Sequence, residues 1–177
     1  MSRTPRIRDF ISATGRFECI MKITLLVIGK TDSAYLREGI EMYTKRLKHY
    51  VSFELVIIPD VKQTKKLTEQ LQKSKEGELI LSKLQVGREL HLFDERGKSY
   101  SSTEFAEFLQ QKMLSSVKEL IFVIGGPYGF SDEVYHQANS KISLSKLTFS
   151  HQMVRLLCVE QFYRAFTILK GEPYHHE

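Results

Sequence analysis

Four short apolar runs punctuate this chain: KITLLVIG at 22–29, FELVIIP at 53–59, ELHLFD at 89–94 and ELIFVIGG at 119–126, with stretches of helical periodicity between them. Runs of this length, bounded by turn residues, fit strands buried on both faces. Strands that alternate with helices imply a mostly parallel sheet covered by helices on both faces, an α/β fold.

The helical stretches can be placed from their apolar spacing. Leu36, Ile40, Tyr43 and Leu47 form one stripe, with Asp32 or Ser33 as its N-cap. A polar helix is expected over residues 64–84, with Leu67, Leu71 and Leu84 on one side and a weak point at Gly77. The turn ERGKS follows the third strand, after which Ser101 and Glu104 have capping-box spacing ahead of Phe105, Phe108 and Leu109. SDEVYHQAN reads as a short helix and KISLSKLTF as part strand, part loop. The last helix, about 151–170, is apolar nearly all round and stops at Gly171 and Pro173. One sheet face cannot cover it, so a homodimer through this helix is expected.

A chain of 177 residues makes one domain, expected over 21–177. Residues 1–20 differ from the rest, with four arginines against Asp9 and Glu18 and no continuous apolar segment. They read as an N-terminal extension outside the fold. No apolar run approaches the roughly 20 residues of a membrane span. Cys19 and Cys158 lie far apart without metal-ligand neighbours, so no metal site is expected and a reducing cytoplasm is the simplest location. Cys158 reads as a small core residue. The net charge of +5 permits an anionic partner without requiring one.

The segment FVIGGPYGFSDEV, at 122–134, carries the functional signal. A strand entering a glycine-rich turn and then a helix is a common way to hold a nucleotide. Here there is neither a P-loop Gly-Lys-Ser/Thr nor a GxGxxG pattern. Alone, it reads equally as a tight turn in which glycine supplies positive φ and Pro127 fixes a corner.

Taken together with LFDERGK, with LSKLTFSHQMVRLLCVEQFYRA and with the ending PYHHE, the chain from Met21 to Glu177 resembles the bacterial RlmH family. These are ribosomal RNA large subunit pseudouridine N3-methyltransferases of the SPOUT superfamily. The resemblance implies a C-terminal trefoil knot, a homodimer through the C-terminal helix and knot region, and S-adenosylmethionine as cofactor. Three knot loops would hold it, with contacts carried over to Phe93, Gly125, Gly126, Ser145, Lys146, Leu147, Thr148, Phe149 and Ser150. The two glycines would let backbone approach the cofactor.

The implied acceptor, N3 of a pseudouridine in large-subunit rRNA within the ribosome, is an imide nitrogen that holds its proton near neutral pH. A base, or a cation beside the forming anion, is therefore needed. Tyr174, His175, Arg155 and Glu160 are the candidates, with Tyr174 and His175 foremost. Lys45, Arg46, Lys48 and His176 are candidates for RNA contact, beside Lys62, Lys65 and Lys66. Two other readings stay open: the same fold acting on another rRNA or tRNA base, and a non-catalytic ribosome- or RNA-binding protein.

Overall fold

A computed structural model of the chain describes residues 21–61, 68–115 and 117–175. The extension at 1–20 and Lys62, Lys65, Lys66, Leu67 and His176 lie outside the described residues. Five strands, β1 (Lys22–Ile28), β2 (Ser52–Ile58), β3 (Arg88–Ser99), β4 (Glu119–Ile124) and β5 (Ser140–Ser143), form one sheet in the order β2-β1-β4-β3-β5. Every pairing in it is parallel. The helices are α1 (Ala34–Leu47), α2 (Glu69–Leu81), α3 (Ser102–Met113), α4 (Asp132–Gln137) and α5 (His151–Lys170).

The two sheet faces carry separate cores. On one, α5 packs between α1 and α3. Its Phe162 meets Phe122 of β4 edge-on at 4.8 Å, inside a cluster with Phe53, Phe93 and Phe105. Such pairs add about 0.5–1.5 kcal/mol each to the burial of apolar area. Cys158 belongs to this core at 1% exposure. The other face buries Leu26, Leu92, Ile121 and Val123 with Ile80 of α2 and Val134 of α4. All six residues of β4 are buried, as its central place requires.

Two local expectations are corrected, and a third, the N-cap of α1, holds at Ser33 without a side-chain bond. In α2 the buried residues are Gln72, Glu76, Gly77 and Ile80, while Leu71 is exposed. Gly77 is a close-packing point: a Cβ there would lie 2.6 Å from Ser131 Oγ at the start of α4. ERGK does not end β3; the register shifts between Phe93 and Lys98 and pairing with β5 resumes at Lys98 and Ser99, a bulge in the strand. Ser33 occupies the N-cap of α1 without a side-chain cap. The Gln152 carboxamide oxygen accepts instead from the N–H groups of Asp32 and Ser33. The capping box of Ser101 and Glu104 is present, and Gly171 ends α5 in the left-handed region at φ 68°.

Candidate functional site

The carboxyl ends of β3, β4 and β5 open onto one cleft of about 380 Å³. Ligands of open parallel sheets bind at that end, where chain leaves the strands as loops, and the volume suits a nucleoside-sized molecule. The floor is apolar, with Phe93, Ile124, Phe130 and Ile142. One wall is the turn after β4, closed by a hydrogen bond from Gly129 N–H to Gly126 O at 3.1 Å, with Gly129 at φ 77°. The opposite wall is the loop after β5. There Ser145 Oγ accepts from Leu147 N–H at 2.9 Å, and Ser143 Oγ donates to Ser145 O at 3.0 Å. The first turn of α5 closes the cleft through His151 and Val154.

Asp94, where β3 reaches the cleft, accepts from the Tyr135 hydroxyl at 2.5 Å through Oδ2 and from Arg96 N–H at 2.8 Å through Oδ1. Burial, and then this carboxylate, push the Tyr135 phenol up to about 12, so Tyr135 donates rather than ionises. The pair offers a fixed anionic acceptor to a ligand hydroxyl or ammonium group. The sequence reading passed over both residues. The signal available was the position of Asp94, the first polar side chain beyond a buried parallel strand.

Among residues expected to hold a cofactor, Phe93, Gly125, Gly126, Ser145, Leu147, Thr148 and Phe149 line the cleft. Lys146 and Ser150 belong to the same loop without lining it. The Ser150 side chain caps α5 by accepting from Met153 N–H at 3.3 Å. The two glycines have a packing reason in addition to the expected one. A Cβ on Gly125 would meet the Phe130 ring at 3.0 Å, and one on Gly126 would meet a Glu76 carboxylate oxygen at 2.5 Å. Neither glycine has positive φ. Their missing side chains make room for the protein's own α2 and turn.

The four residues expected to act on the acceptor separate into two places. Arg155 is 3% exposed and donates to Ile28 O at 2.5 Å and to Gly29 O and Thr31 Oγ1, each at 2.9 Å. It ties α5 to the end of β1 and does not line the cleft. Glu160, Tyr174 and His175 lie together: Tyr174 Oη donates to Glu160 Oε1 at 3.1 Å, and Arg164 donates to the same oxygen at 2.7 Å and reaches His175 Nδ1 at 3.4 Å. The Tyr174 ring packs edge-on against Tyr163 at 4.8 Å. Burial, the Tyr43 hydroxyl and the Glu160 charge hold the Tyr174 phenol protonated well above its usual range.

Along α5, Arg164 stands ten residues beyond Val154, so about 15 Å separates the tail's anchor from the cleft of the same chain. The basic end of α1 adjoins the tail. The Tyr43 hydroxyl is 3.1 Å from that of Tyr174, and Arg46 lies over Tyr43 and Tyr163. Lys45 and Lys48 are exposed beside them, Lys45 paired with Glu41 at 2.8 Å. Among the described residues, no group of His, Cys, Asp and Glu could hold a metal ion, and no helix is long and apolar enough to cross a membrane.

Comparison with known proteins adds a family. Residues 21–175 match the family model described as "Predicted SPOUT methyltransferase". A ribosomal RNA large subunit methyltransferase H from Christiangramia forsetii is 62% identical over 156 residues, covering 88% of this chain and 99% of the relative. Proteins of the same name from Parabacteroides distasonis and Flavobacterium johnsoniae are 59% and 60% identical over 157 residues, covering 89% of this chain and 100% of each relative.

Proposed function

The chain belongs to the SPOUT methyltransferase family, and from that premise we propose that it methylates large-subunit ribosomal RNA, at N3 of a pseudouridine, with S-adenosylmethionine as donor. The observation that carries this reading is the coincidence of two things. Near-full-length relatives are named for large-subunit rRNA methylation, and the three segments behind the resemblance meet at one cleft.

The cleft's chemistry fits the cofactor. Its apolar floor suits an adenine ring, the loop at 144–149 offers backbone donors and acceptors, and Asp94 offers an anion for ribose hydroxyls or the ammonium group. Held there, S-adenosylmethionine supplies an electrophilic methyl group on a sulfonium. In the wider reading the loops after β3, β4 and β5 form a trefoil knot, and the protein works in the cytoplasm on rRNA within the ribosome.

The acceptor must lose its N3 proton as its nitrogen lone pair takes the methyl group. Tyr174, kept as a neutral phenol by burial, Tyr43 and Glu160, has its one O–H donated to Glu160 and is suited to accept, through its hydroxyl oxygen, a hydrogen bond from a uracil-like N–H. His175 is the group assigned to take the proton. Arg155 and Glu160 serve by holding β1 and the tail. The distance along α5 supports a homodimer: a tail anchored about 15 Å from its own cleft would reach a cleft of a second copy if two α5 helices cross head to tail. Lys45, Arg46 and Lys48 then flank the acceptor and meet phosphates.

The test is purified protein with S-adenosylmethionine and large subunits from a strain lacking the enzyme, read by mass spectrometry of the nucleosides. N3-methylpseudouridine is expected. A methyl group on another base, or none, overturns the assignment.

A further inference from the structure

Behind the glycine turn lies a buried charge that the proposed reaction leaves unused. Glu76 of α2 is 3% exposed. Its carboxylate accepts from Gln72 Nε2 at 2.8 Å, and among the described residues no cation pairs with it. Its oxygens stand 2.5 and 3.0 Å from where a Gly126 Cβ would be, hence within about 4.5 Å of the Gly126 Cα. Gly126 is therefore a shared wall, lining the cleft while backing onto the carboxylate.

The elements packed around Glu76 do not compensate it. From the end of β2, Asp60 adds a second negative charge. The Arg155 guanidinium is within electrostatic reach of Asp60 and Asp32, and among the described residues it forms a salt bridge with neither of them nor with Glu76. From α4 come Ser131 and Val134, which meet the adjoining Gly77 and carry no charge. Burial and Asp60 together raise the Glu76 carboxyl above its usual range, as befits an acid without a cation. A buried carboxylate costs free energy unless a positive group answers it.

We propose that Glu76 is the counter-charge that selects a sulfonium ligand in the cleft over its neutral thioether, acting across the backbone of Gly126. The inference rests on the cofactor reading above. S-adenosylmethionine and S-adenosylhomocysteine share the adenosine, the ammonium and the carboxylate. They differ in one methyl group and one positive charge, so a group that reads that charge acts on their ratio. Glu76 touches neither the acceptor nor the methyl group by this account; it is a positioning residue for charge.

Calorimetric binding of both ligands to the full chain tests it. The wild type should bind S-adenosylmethionine roughly tenfold more tightly than S-adenosylhomocysteine, the scale of one charge pair across a few ångströms of protein. Glu76→Gln, which keeps the shape and loses the charge, should weaken S-adenosylmethionine roughly tenfold and leave S-adenosylhomocysteine within about twofold. Glu76→Asp should keep most of the discrimination. Equal weakening of both ligands by Glu76→Gln, or no weakening of either, overturns the proposal. Should Glu76→Gln fail to fold, a wild type that prefers neither ligand, or a Glu76→Asp protein that loses the preference, overturns it. Failure of the wild type to bind either ligand overturns the cofactor reading first.

Discussion

At Gly126 a methyl group has no room, because the Glu76 carboxylate already occupies the space. Gly126→Val should therefore push α2 away from the turn, costing about 1–3 kcal/mol of stability, the usual range for overpacking. It should weaken S-adenosylmethionine by tenfold or more as the wall deforms. Denaturant unfolding and calorimetry on the same sample check both. A variant with unchanged stability would place Glu76 elsewhere. His91 makes a second prediction at this scale. It is 1% exposed, bonded through Nδ1 to Ser140 Oγ at 2.8 Å and packed with its ring tilted 30° against Phe122 at 5.1 Å. Burial lowers it to about 4; Glu89 opposes that shift and Lys112 reinforces it. The unfolded chain, with histidine near 6.5, binds this proton more readily than the folded one. Stability is thus complete above about pH 6.5 and falls as pH drops toward about 4, by up to ~3 kcal/mol. His91→Gln should flatten that part of the stability–pH curve, and an unchanged slope would assign it to other groups. Neither effect was legible from the chain alone, since a glycine does not declare what fills its missing side chain.

Elements with a strong periodic or capping signal were legible. The stripe of α3 and its Ser101–Glu104 box, the end of α5 at Gly171 and the buried run of β4 follow from local chemistry. Where the tertiary environment decides, the reading failed. In α2 Ile80 is the one apolar residue on the buried side, beside Gln72, Glu76 and Gly77, polar or small residues that a search for apolar stripes passes over. In β3, ERGK has turn chemistry, yet β5 recaptures the strand beyond it. Most residues that the resemblance implies for a cofactor line the cleft, whereas Asp94 and Tyr135 were missed because their pairing spans β3 and α4. Arg155 was a candidate because the acceptor needs a base or a cation beside its forming anion; its buried ties to Ile28 and Gly29 give it a structural task. Arg155→Met should strand those carbonyls and cost about 2–4 kcal/mol, the range for breaking buried charge-assisted hydrogen bonds. Chemical unfolding measures this, and a loss within ~0.5 kcal/mol would show that the contact adds little.

In the whole molecule, the tail and the cleft sit at opposite ends of α5. Tyr174 and His175 are held by Glu160 and Arg164, whereas His151 and Val154 face the cleft. The cleft's rim is also uncovered apolar surface, with Leu147 76% exposed and Tyr128 and Phe149 beside it. A second copy would cover that rim and deliver its tail in one step, which is how an isologous interface builds two equal sites. Removing Tyr174–Glu177 should then leave S-adenosylmethionine affinity within a few fold while lowering methyl transfer roughly 100-fold or more, the scale of a lost acid–base group. Mixing makes the prediction specific. A tail-less chain keeps its cleft, and a Gly126→Val chain keeps its tail; with S-adenosylmethionine held below the dissociation constant of the Gly126→Val protein, each alone should retain roughly a tenth of the activity or less. Co-expressed with different tags and purified as the mixed dimer, they assemble one intact site from the two halves. Activity should return to about half that of the wild-type dimer, one of two symmetric sites. A mixed dimer as inactive as its parents would mean that each tail serves its own cleft, swinging away from Tyr43 and Tyr163 to reach it.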